Sequence, residues 1–363
     1  MKIYTLQGSY VFKNQKYTLN DGSSSDYLTL RGGFEYGHYS PSLCDVLEEW
    51  SDDLPYEKTS KLLSQLTGTV VFSSTGISHY LEQKAAFISQ KWVAEAHTEI
   101  KQIAVSSHIG LYDSASREVI LMMDDVGVKA QKPHKQKARE PSDAKRLDTT
   151  VILVQDREKN YHHATSGMDN AGKTIYSVEQ AIIDSVANLH NIAEALPIVA
   201  ITDGARSIRC VLHTIFGTNV CIILDWYHLQ LKVKNLMSMI ALNKADKELF
   251  INDLKLLLWT GNTAEAITYL DNMTSVRNAI KHKELRDYIE KHEAEIIDYG
   301  LRKKGEKTIG SGRAEKANDL VVAHRQKKKG MAWSRKGSSA LAIIKTHRLN
   351  RNLSKKLATD LVH

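Results

Sequence analysis

Three apolar segments of strand length, each followed at once by an aspartate, constrain the fold of this chain more than any other feature. They are residues 118–123 (EVILMM) before Asp124, residues 197–202 (PIVAIT) before Asp203 and residues 219–224 (NVCIIL) before Asp225. Short apolar runs bounded by polar residues are typical of buried strands. Strand ends at one edge of an α/β sheet are where such folds place their chemistry. The pattern therefore predicts an α/β protein with carboxylates gathered at one edge of its sheet.

The segments between these runs supply helices and further strands. We expect residues 126–131 to return beside the first strand across a tight turn. Residues 149–155 (TTVILVQ) predict another strand, which a polar loop with His162 and His163 follows. Residues 178–196 have the apolar spacing of a helix, and a shorter helix precedes the third apolar run. This order of elements indicates a mixed sheet flanked by helices.

The first part of the chain has a different pattern. Residues 1–40 predict short strands and turns, including a β-hairpin, and residues 41–112 predict helices. The helices are compatible with a DNA-binding helix-turn-helix, in which His79, Gln83 and Lys84 would face outward. Helical hairpins are also common in proteins that never touch DNA, and the long third helix is equally compatible with a structural spacer.

The rest of the chain divides into a core and an insertion. We predict an α/β core over residues 113–228 and 301–363, interrupted by an all-helical insertion domain over residues 229–300. A further helix is predicted to begin near Gly312 and to include Glu315.

Positive charge is concentrated in one part of the chain. The formal net charge is +7, and residues 302–336 hold twelve Lys and Arg against three acids. The remainder is therefore near neutral, apart from a second basic excess between Lys129 and Arg146. Such concentration is the footprint expected for a nucleic-acid backbone, although a solvated basic face gives the same composition.

The sequence also indicates in which cellular compartment the protein is expected. No apolar run approaches the roughly 20 residues that cross a bilayer, and the N-terminus lacks the apolar stretch of a signal peptide. The three cysteines, Cys44, Cys210 and Cys221, form no CxxC pair, so neither a disulfide framework nor a zinc ribbon is indicated. We expect an intracellular, soluble protein that is cytoplasmic and joins the nucleoid when bound to DNA.

Each aspartate also has an ordinary explanation. Asp203 before Gly204 is typical of a turn, Asp225 of a helix cap, and Asp124 with Asp125 of a turn that ends a strand. Their joint placement after apolar strands favours a shared site. Gathered carboxylates repel one another and raise each other's pKa unless a cation holds them together. Magnesium suits such a site, because it prefers oxygen ligands and keeps positions open for water and phosphate oxygens.

Several motifs carry a family resemblance. They are residues 201–205 (ITDGA), residues 225–228 (DWYH), residues 310–318 (GSGRAEKAN), residues 330–350 (GMAWSRKGSSALAIIKTHRLN) and residues 123–132 (MDDVGVKAQK). Together they resemble bacterial insertion-sequence DDE transposases of the Kra type, which are related to the mutator-like superfamily. The resemblance covers roughly residues 115–350.

The resemblance implies a ribonuclease-H-like core with a helical insertion between the second and third acids. Carried over by position, Asp124, Asp203 and Glu315 are the catalytic, metal-binding acids for two Mg²⁺ ions, for which Mn²⁺ can substitute. Asp225 and His228 match the superfamily's Asp-x-x-His element and take supporting roles near the site. For His228 the alternative is a core position in which a carbonyl satisfies the imidazole.

The implied activity is transposition. Hydrolysis at the end of an insertion sequence releases a 3′-hydroxyl, which then attacks target DNA, in a homodimer or higher oligomer assembled on the terminal repeats. The residues expected to contact DNA are Arg313, Lys316, Arg325, Lys327, Lys328, Lys329, Trp333, Arg335 and Lys336. Trp333 could stack on an exposed base, and core packing is its alternative.

Two other functions remain open at this point. One is a metal-dependent nuclease that has the same core and no strand-transfer step. The other is a non-catalytic DNA-binding protein derived from a transposase.

The sequence departs from the family pattern at two places. Asp125 stands where the family usually has Gly, so Asp125 rivals Asp124 as the first acid and is otherwise kept among the supporting residues. The N-terminal Cys/His zinc element is absent, because His38 and Cys44 alone cannot make a zinc site. We predict that Cys44 is a free, buried thiol.

Overall fold

The computed structural model describes residues 2–11, 13, 15–26, 38–132 and 145–360. Near the N-terminus the strands form two antiparallel pairs: β1 (Lys2–Thr5) with β2 (Gly8–Val11), and β3 (Lys16–Thr18) with β4 (Ser24–Asp26). The predicted N-terminal hairpin is thus confirmed. Residues 27–37, which belong to the predicted N-terminal segment of strands and turns, lie outside the described residues.

A five-stranded mixed sheet forms the centre of the molecule. Its strands are β5 (Val119–Lys129), β6 (Arg146–Gln155), β7 (Tyr161–Ala164), β10 (Ile198–Thr202) and β11 (Cys221–Leu224). Their order is β11-β10-β5-β6-β7. Strands β5, β6 and β7 are successively antiparallel, whereas β10 and β11 run parallel to β5. A small separate pair joins β8 (Gly167–Met168) to β9 (Thr174–Tyr176).

Two of the predicted strand boundaries are wrong. Strand β5 does not end at Asp124, and residues 126–131 do not return beside it. Backbone pairing with β6 continues from Leu121 through both aspartates to Lys129. The aspartate side chains accept hydrogen bonds from Asn318 and Thr150 while the backbone hydrogen bonds between the two strands are kept. The chain therefore carries Asp124 in the middle of a strand.

The predicted polar loop after β6 is instead the edge strand β7. It pairs with β6 along its whole length, and its histidines have polar partners. His162 Nε2 lies 2.9 Å from Asp156 Oδ2, and the backbone N–H of His163 donates to Asn350 Oδ1. Because these residues have polar partners instead of apolar contacts, β7 lacks the alternation of apolar and polar residues by which a strand is recognised in a sequence.

Most of the other described residues lie in helices, but the helical prediction for residues 41–112 is wrong for residues 95–112, which form turns and irregular structure after the third helix ends at Ala94. Before the sheet the helices are α1 (Pro41–Asp53), α2 (Tyr56–Thr67) and α3 (Ser74–Ala94). Between its strands they are α4 (Val178–Leu189) and α5 (Arg206–Phe216). After it they are α6 (Trp226–Ile240), α7 (Lys244–Trp259), α8 (Thr263–Asp271), α9 (Ala279–Lys291), α10 (Tyr299–Lys304), α11 (Gly312–Asn318), α12 (His324–Gln326) and α13 (Arg335–Asp360). The helix predicted over residues 178–196 is observed but ends at Leu189, where His190 adopts an extended backbone, and the helical character predicted for residues 205–216 and 229–300 is confirmed.

The sheet is buried on both faces. One face packs through Leu121 and Met123 with Ile182 of α4 and Leu212 of α5. The other face packs through Ile120, Met122 and Val126 with the apolar side chains of α3, α6 and α13. An α/β fold with a mixed sheet flanked by helices, as predicted, is therefore observed. Side chains alternate between the faces along β5.

Helix α3 packs along the C-terminal helix α13. Its stripe of Ile77, Leu81, Ala85 and Ile88 is buried. The prediction that Lys84 faces outward is wrong, since its side chain is 12% exposed and its Nζ lies 3.7 Å from Glu48 Oε1. These contacts favour the structural-spacer interpretation of α3 over that of a recognition helix.

Candidate functional site

Asp124 lies on the face of β5 that also carries Met122 and Val126. Its Oδ2 accepts a 2.6 Å hydrogen bond from Asn318 Nδ2. Its Oδ1 accepts a 2.7 Å hydrogen bond from the backbone N–H of Asp125. Burial raises the pKa of Asp124, and the negative charge of Asp203 raises it further. Asp124 is therefore a partly buried carboxylate in the field of a second one.

Asp125 points to the opposite face of the sheet. It is exposed, and its Oδ1 accepts a 2.5 Å hydrogen bond from Thr150 Oγ1 on β6. Because consecutive side chains of a strand point to opposite faces, Asp124 and Asp125 cannot both join one site. Of the two rivals, Asp124 is the residue beside Asp203.

Asp203 follows β10 directly, and the strand register explains its position. Ile198 pairs with Val119 and Ile201 with Met122 in the parallel ladder, so the same offset continued by two residues brings Asp203 beside Asp124. Asp203 Oδ1 accepts a 2.8 Å hydrogen bond from the backbone N–H of Ala205. The turn predicted from Asp203-Gly204 is thus present, and it fixes the carboxylate at the end of the strand.

Asp225 caps the N-terminus of α6. It is 1% exposed, and its Oδ1 accepts hydrogen bonds from the backbone N–H groups of Tyr227 (2.6 Å) and His228 (2.9 Å). Its Oδ2 accepts from both the backbone N–H and the hydroxyl of Ser311. Burial would raise the pKa of Asp225, but the interactions with His228 and Ser311 outweigh it and lower the pKa to about 2. Asp225 therefore caps α6, as predicted, and also hydrogen-bonds to the segment that precedes Glu315.

His228 lies between Asp225 and Glu315. Its Nδ1 is 3.7 Å from Asp225 Oδ2, and its Nε2 is 4.0 Å from Glu315 Oε1. The interaction with Asp225 raises the pKa of His228, and the charges of Glu315 and Asp203 raise it too. The Nδ1 atom is buried and has no hydrogen-bond partner among the described residues. The alternative in which a carbonyl satisfies the imidazole does not hold.

Glu315 lies in helix α11, which begins at Gly312 as predicted. Its side chain is 62% exposed, so its carboxylate borders solvent as well as His228. The helix continues into a π-helical turn, Asp319–Ala323. Single π turns inside helices are frequent at functional sites.

Asn318 is a site residue that the sequence did not reveal. Its Nδ2 donates to Asp124, whereas its Oδ1 is buried without a hydrogen-bond partner in the described part of the chain. An asparagine three positions after Glu315 has no spacing signal that separates it from a surface residue. Only the contact with β5 identifies it.

The helical segment before α10 also contacts the site. His292 is 1% exposed, and its Nδ1 lies 2.5 Å from Glu295 Oε2. A Cβ atom at Gly204, which has φ of +83°, would overlap the His292 ring. The turn that holds Asp203 is therefore packed against the helical segment, and no local pattern in either segment predicts this contact.

The donor atoms at this site are mainly oxygens. The carboxylates of Asp124, Asp203 and Glu315 and the unpartnered Oδ1 of Asn318 are ligands of the type that Mg²⁺ prefers. Within the described residues, no three Asp, Glu, His or Cys side chains stand close enough together to hold one ion. The chemistry of the donor set fits magnesium, while Asp124 Oδ2 is engaged by Asn318.

Several predicted DNA contacts are on the surface. Those that are exposed are Arg313, Lys316, Lys327, Lys328, Lys329 and Arg335. Arg313 and Lys316 flank Glu315 on α11, and the guanidinium of Arg313 lies 4.7 Å from the centroid of the Tyr161 ring. Lys336 is less free, because its Nζ is 2.9 Å from Glu82 Oε2.

Arg325 and Trp333 are buried, so the prediction that they contact DNA is wrong. Arg325 is 5% exposed, donates from Nε to Ser51 O (3.0 Å), and lies over the rings of Tyr56 and Trp333. Trp333 is 8% exposed and donates from its indole N–H to Gln326 O (3.0 Å). The core alternative for Trp333 is confirmed. Both side chains join the last helices to α1 and α2.

Other parts of the basic footprint are neutralised or outside the described residues. Arg302 is 0% exposed, and both Arg302 and Lys307 form ion pairs with Glu118, at 2.6 and 3.0 Å. Most of the second basic excess, residues 133–144, lies outside the described residues. Cys44 is buried and forms no disulfide with another described cysteine, as predicted.

No family model matches this chain, and no curated protein matches it either. The likeness to insertion-sequence transposases therefore rests on the sequence motifs. None of the described helices combines the length and the apolar character needed to cross a membrane.

Proposed function

We propose that this protein is a DDE transposase that cleaves DNA strands at the ends of an insertion sequence and joins them to target DNA with magnesium. The observation that carries the proposal is that Asp203 lies close enough to Asp124 and to His228 for its charge to raise the pKa of both, while His228 Nε2 lies 4.0 Å from Glu315 Oε1. These are the three acids that the family motifs select, and they are separated by 79 and 112 positions in the chain.

The order of the strands supports a ribonuclease-H-like core. In that fold the first three strands form an antiparallel meander, and the last two run parallel to the first. Strands β5, β6 and β7 followed by β10 and β11 have these directions and this order. The helices α6 to α10 would then be the insertion between the second and third acids.

Magnesium would be held by the carboxylates of Asp124, Asp203 and Glu315. When bound, it supplies charge neutralisation for the attacking and leaving oxygens of a phosphoryl displacement. The buried Oδ1 of Asn318 adds an oxygen at the same place. Since Asn318 Nδ2 donates to Asp124 and Glu315 approaches His228, ion binding requires these two side chains to change partners.

The other residues of the site position the acids. Asp225 bonds the start of α6 to Ser311, and Ser311 directly precedes the helix of Glu315. His228 lies between the two carboxylates and balances their charge.

Exposed cations provide the DNA surface in this proposal. Arg313 and Lys316 lie beside Glu315, where they would contact phosphates next to the cleaved bond. Lys327, Lys328 and Lys329 extend the surface. Neutralising phosphates releases counterions, so binding should weaken as salt rises. DNA is the proposed partner, and a dimer or higher oligomer is the proposed active form because two element ends must be cut.

The decisive experiment uses DNA with labelled element ends, magnesium, and the Asp203→Asn and Glu315→Gln variants. We expect the wild type to give nicked ends and joined products, and both variants to give neither. Manganese should replace magnesium in the wild type. Full cleavage by both variants would refute the assignment of the site.

The two other candidate functions give different results in the same assay. A nuclease with this core would release cut ends without joined products. A non-catalytic DNA-binding protein would bind DNA and give no cut ends. Calorimetry would then show no difference in magnesium binding between the wild type and Glu315→Gln.

A further inference from the structure

A cleft lies between α6 and α7, directly beside the candidate site. Its larger part, of about 620 Å³, is lined by residues of both helices, and an adjoining part of about 520 Å³ extends over Trp226 towards Lys303. Tyr227 lines both parts and precedes His228 in the chain. The cleft therefore begins one residue away from the candidate site, and its volume falls in the range of about 300–1,000 Å³ that accommodates small organic groups.

Tyr227 presents an aromatic surface in this cleft. Its side chain is 57% exposed, although its backbone is fixed by the hydrogen bond to Asp225. A Cβ atom at Gly310 would lie 2.5 Å from the Tyr227 ring, so the bare glycine backbone packs closely against the ring. The ring is thus supported on one side and open on the other, which is the arrangement of a stacking platform.

The charge of the cleft is positive. Lys234, Lys247 and Lys255 line the larger part and Lys303 the adjoining part. Within the described ranges, none of these four lysines has a carboxylate within ion-pair distance, and Glu248 in the lining pairs instead with Lys244 at 3.8 Å. Cations without a carboxylate partner around an exposed aromatic ring complement a ligand that has both phosphates and flat bases.

We propose that this cleft binds a short single-stranded segment of DNA, with a base stacked on Tyr227 and the adjacent phosphates on the lysines. In a duplex the bases are stacked on one another, whereas an unpaired nucleotide leaves its base free to stack on the Tyr227 ring. The inference rests on the proposed function for the source of the strand, which is the end freed at the neighbouring site. A second copy of this chain is the competing occupant.

The test measures binding of a fluorescent oligodeoxythymidine, and of an abasic strand of the same length, to the full chain in EDTA. We expect Tyr227→Ala to weaken oligodeoxythymidine binding by about tenfold and to leave binding of the abasic strand unchanged. Tyr227→Phe should retain binding, because the ring remains. Unfolding midpoints of the variants confirm that they fold.

The lysines are tested by the salt dependence of the same binding. Lys255→Ala with Lys303→Ala should weaken binding of both strands and lower the salt slope by roughly 0.7 for each phosphate that is no longer neutralised. Lys283→Ala removes as much charge as either of these two substitutions alone, from an exposed position on α9 that does not line the cleft, and it should bind as the wild type does.

Different failures separate this inference from the proposed function. Because no metal is present, binding does not depend on cleavage. If the protein does not cleave DNA but shows the expected binding pattern, the proposed function is overturned and the proposal that the cleft binds single-stranded DNA stands. If the wild type cleaves DNA normally and the Tyr227→Ala variant binds oligodeoxythymidine as tightly as the wild type, the proposal that the cleft binds DNA is overturned. A change of oligomeric state in the Tyr227→Ala variant, without a change in DNA binding, identifies the cleft as a contact between copies and also overturns it.

Discussion

The side-chain amide of Asn318 donates a 2.6 Å hydrogen bond to Asp124 Oδ2, although 194 positions separate the two residues. Asn318 follows Glu315 on α11, so this bond joins the helix of the third acid to the strand of the first. Its Oδ1 is buried and unpartnered among the described residues. Such an orphaned oxygen requires a physical explanation, and the proposed cation, shared with Asp124, would supply one.

The variant Asn318→Asp tests that explanation. It replaces an amide donor with a second carboxylate, and like charges this close repel. We expect the free energy of unfolding in EDTA to fall by about 1–3 kcal/mol, and magnesium to restore more stability in the variant than in the wild type. Lys316→Gln makes the same charge change at an exposed position of α11 and should respond as the wild type does. Thermal unfolding with and without magnesium measures both, and equal magnesium responses would contradict a cation site at Asp124.

Adjacent aspartates on β5 allow a matched comparison of the first acid. Asp124→Asn should lower magnesium-dependent strand cleavage by more than about 100-fold, which exceeds the loss expected for a residue that only supports a ligand. Asp125→Asn changes the charge equally on the opposite face of the sheet and should retain most of the activity. Initial rates on labelled element ends provide the measurement. The reverse ranking would assign the role to Asp125.

The cap at the start of α6 predicts a large effect of Asp225→Asn. An asparagine can accept from the backbone of α6 with its oxygen, but its amide then faces the N–H of Ser311, which is also a donor. We expect a loss of about 3 kcal/mol in the free energy of unfolding, because charged hydrogen bonds are lost and a buried donor is left unpaired. Ser311→Ala removes only the hydroxyl and should cost about 1 kcal/mol. Urea denaturation of both variants checks the difference, and equal losses would mean that the backbone bond contributes little.

Gly204 and Gly217 form a second matched pair. Both have positive φ, at +83° and +68°, so alanine is strained at either position. At Gly204 a Cβ would also overlap His292 and lie 2.9 Å from Leu224 Cδ1, whereas at Gly217 nothing lies within 4 Å. We expect Gly217→Ala to cost about 1 kcal/mol and Gly204→Ala about 2–4 kcal/mol, with a loss of cleavage only in the latter. Equal unfolding midpoints for Gly204→Ala and Gly217→Ala would show that the turn at Gly204 shifts to accommodate the methyl group.

His163 predicts the acid side of the stability profile. Burial lowers its pKa from 6.5 to about 4, and the charge of His162 adds to the effect. Between these values the unfolded chain binds a proton that the folded chain does not, so stability is complete above pH 6.5 and falls as the pH decreases towards 4. A tenfold change in proton affinity corresponds to about 1.4 kcal/mol, so the loss approaches about 3 kcal/mol.

Urea denaturation of the wild type and of His163→Gln across this pH range measures that loss. The variant should show a shallower decline than the wild type, even if it is less stable at pH 7. Parallel profiles would mean that His163 is protonated in the folded protein without cost.

The apolar strands and their aspartates were predictable because a buried sheet demands runs of Val, Ile and Leu. The succession of α4, β10, α5 and β11 was predictable from apolar spacing as well. Strand β7 was missed since His162 and His163 are satisfied by Asp156 and Asn350, and long-range polar partners leave no periodic trace. The full length of β5 was missed because Asp124-Asp125 has the composition of a turn.

The basic residues show a second limit of sequence reasoning. Lysine and arginine are normally on the surface, so Arg325 was expected to contact DNA. Its burial depends on Ser51 and Tyr56, more than 260 positions away in sequence, and no local pattern encodes such partners. Asn318 and His292 were missed for the same reason, because each acts through a contact between distant segments.

The bond between Asp225 and Ser311 has a consequence for protein synthesis. Strands β5, β10 and β11 leave the ribosome long before Ser311, Glu315 and Asn318 are translated, and domains fold as their chain emerges. An unfinished chain thus holds the first two acids and lacks the helix that completes the arrangement. If the proposed function holds, a chain that stops before Ser311 would lack the helix of Glu315 and would not cleave DNA.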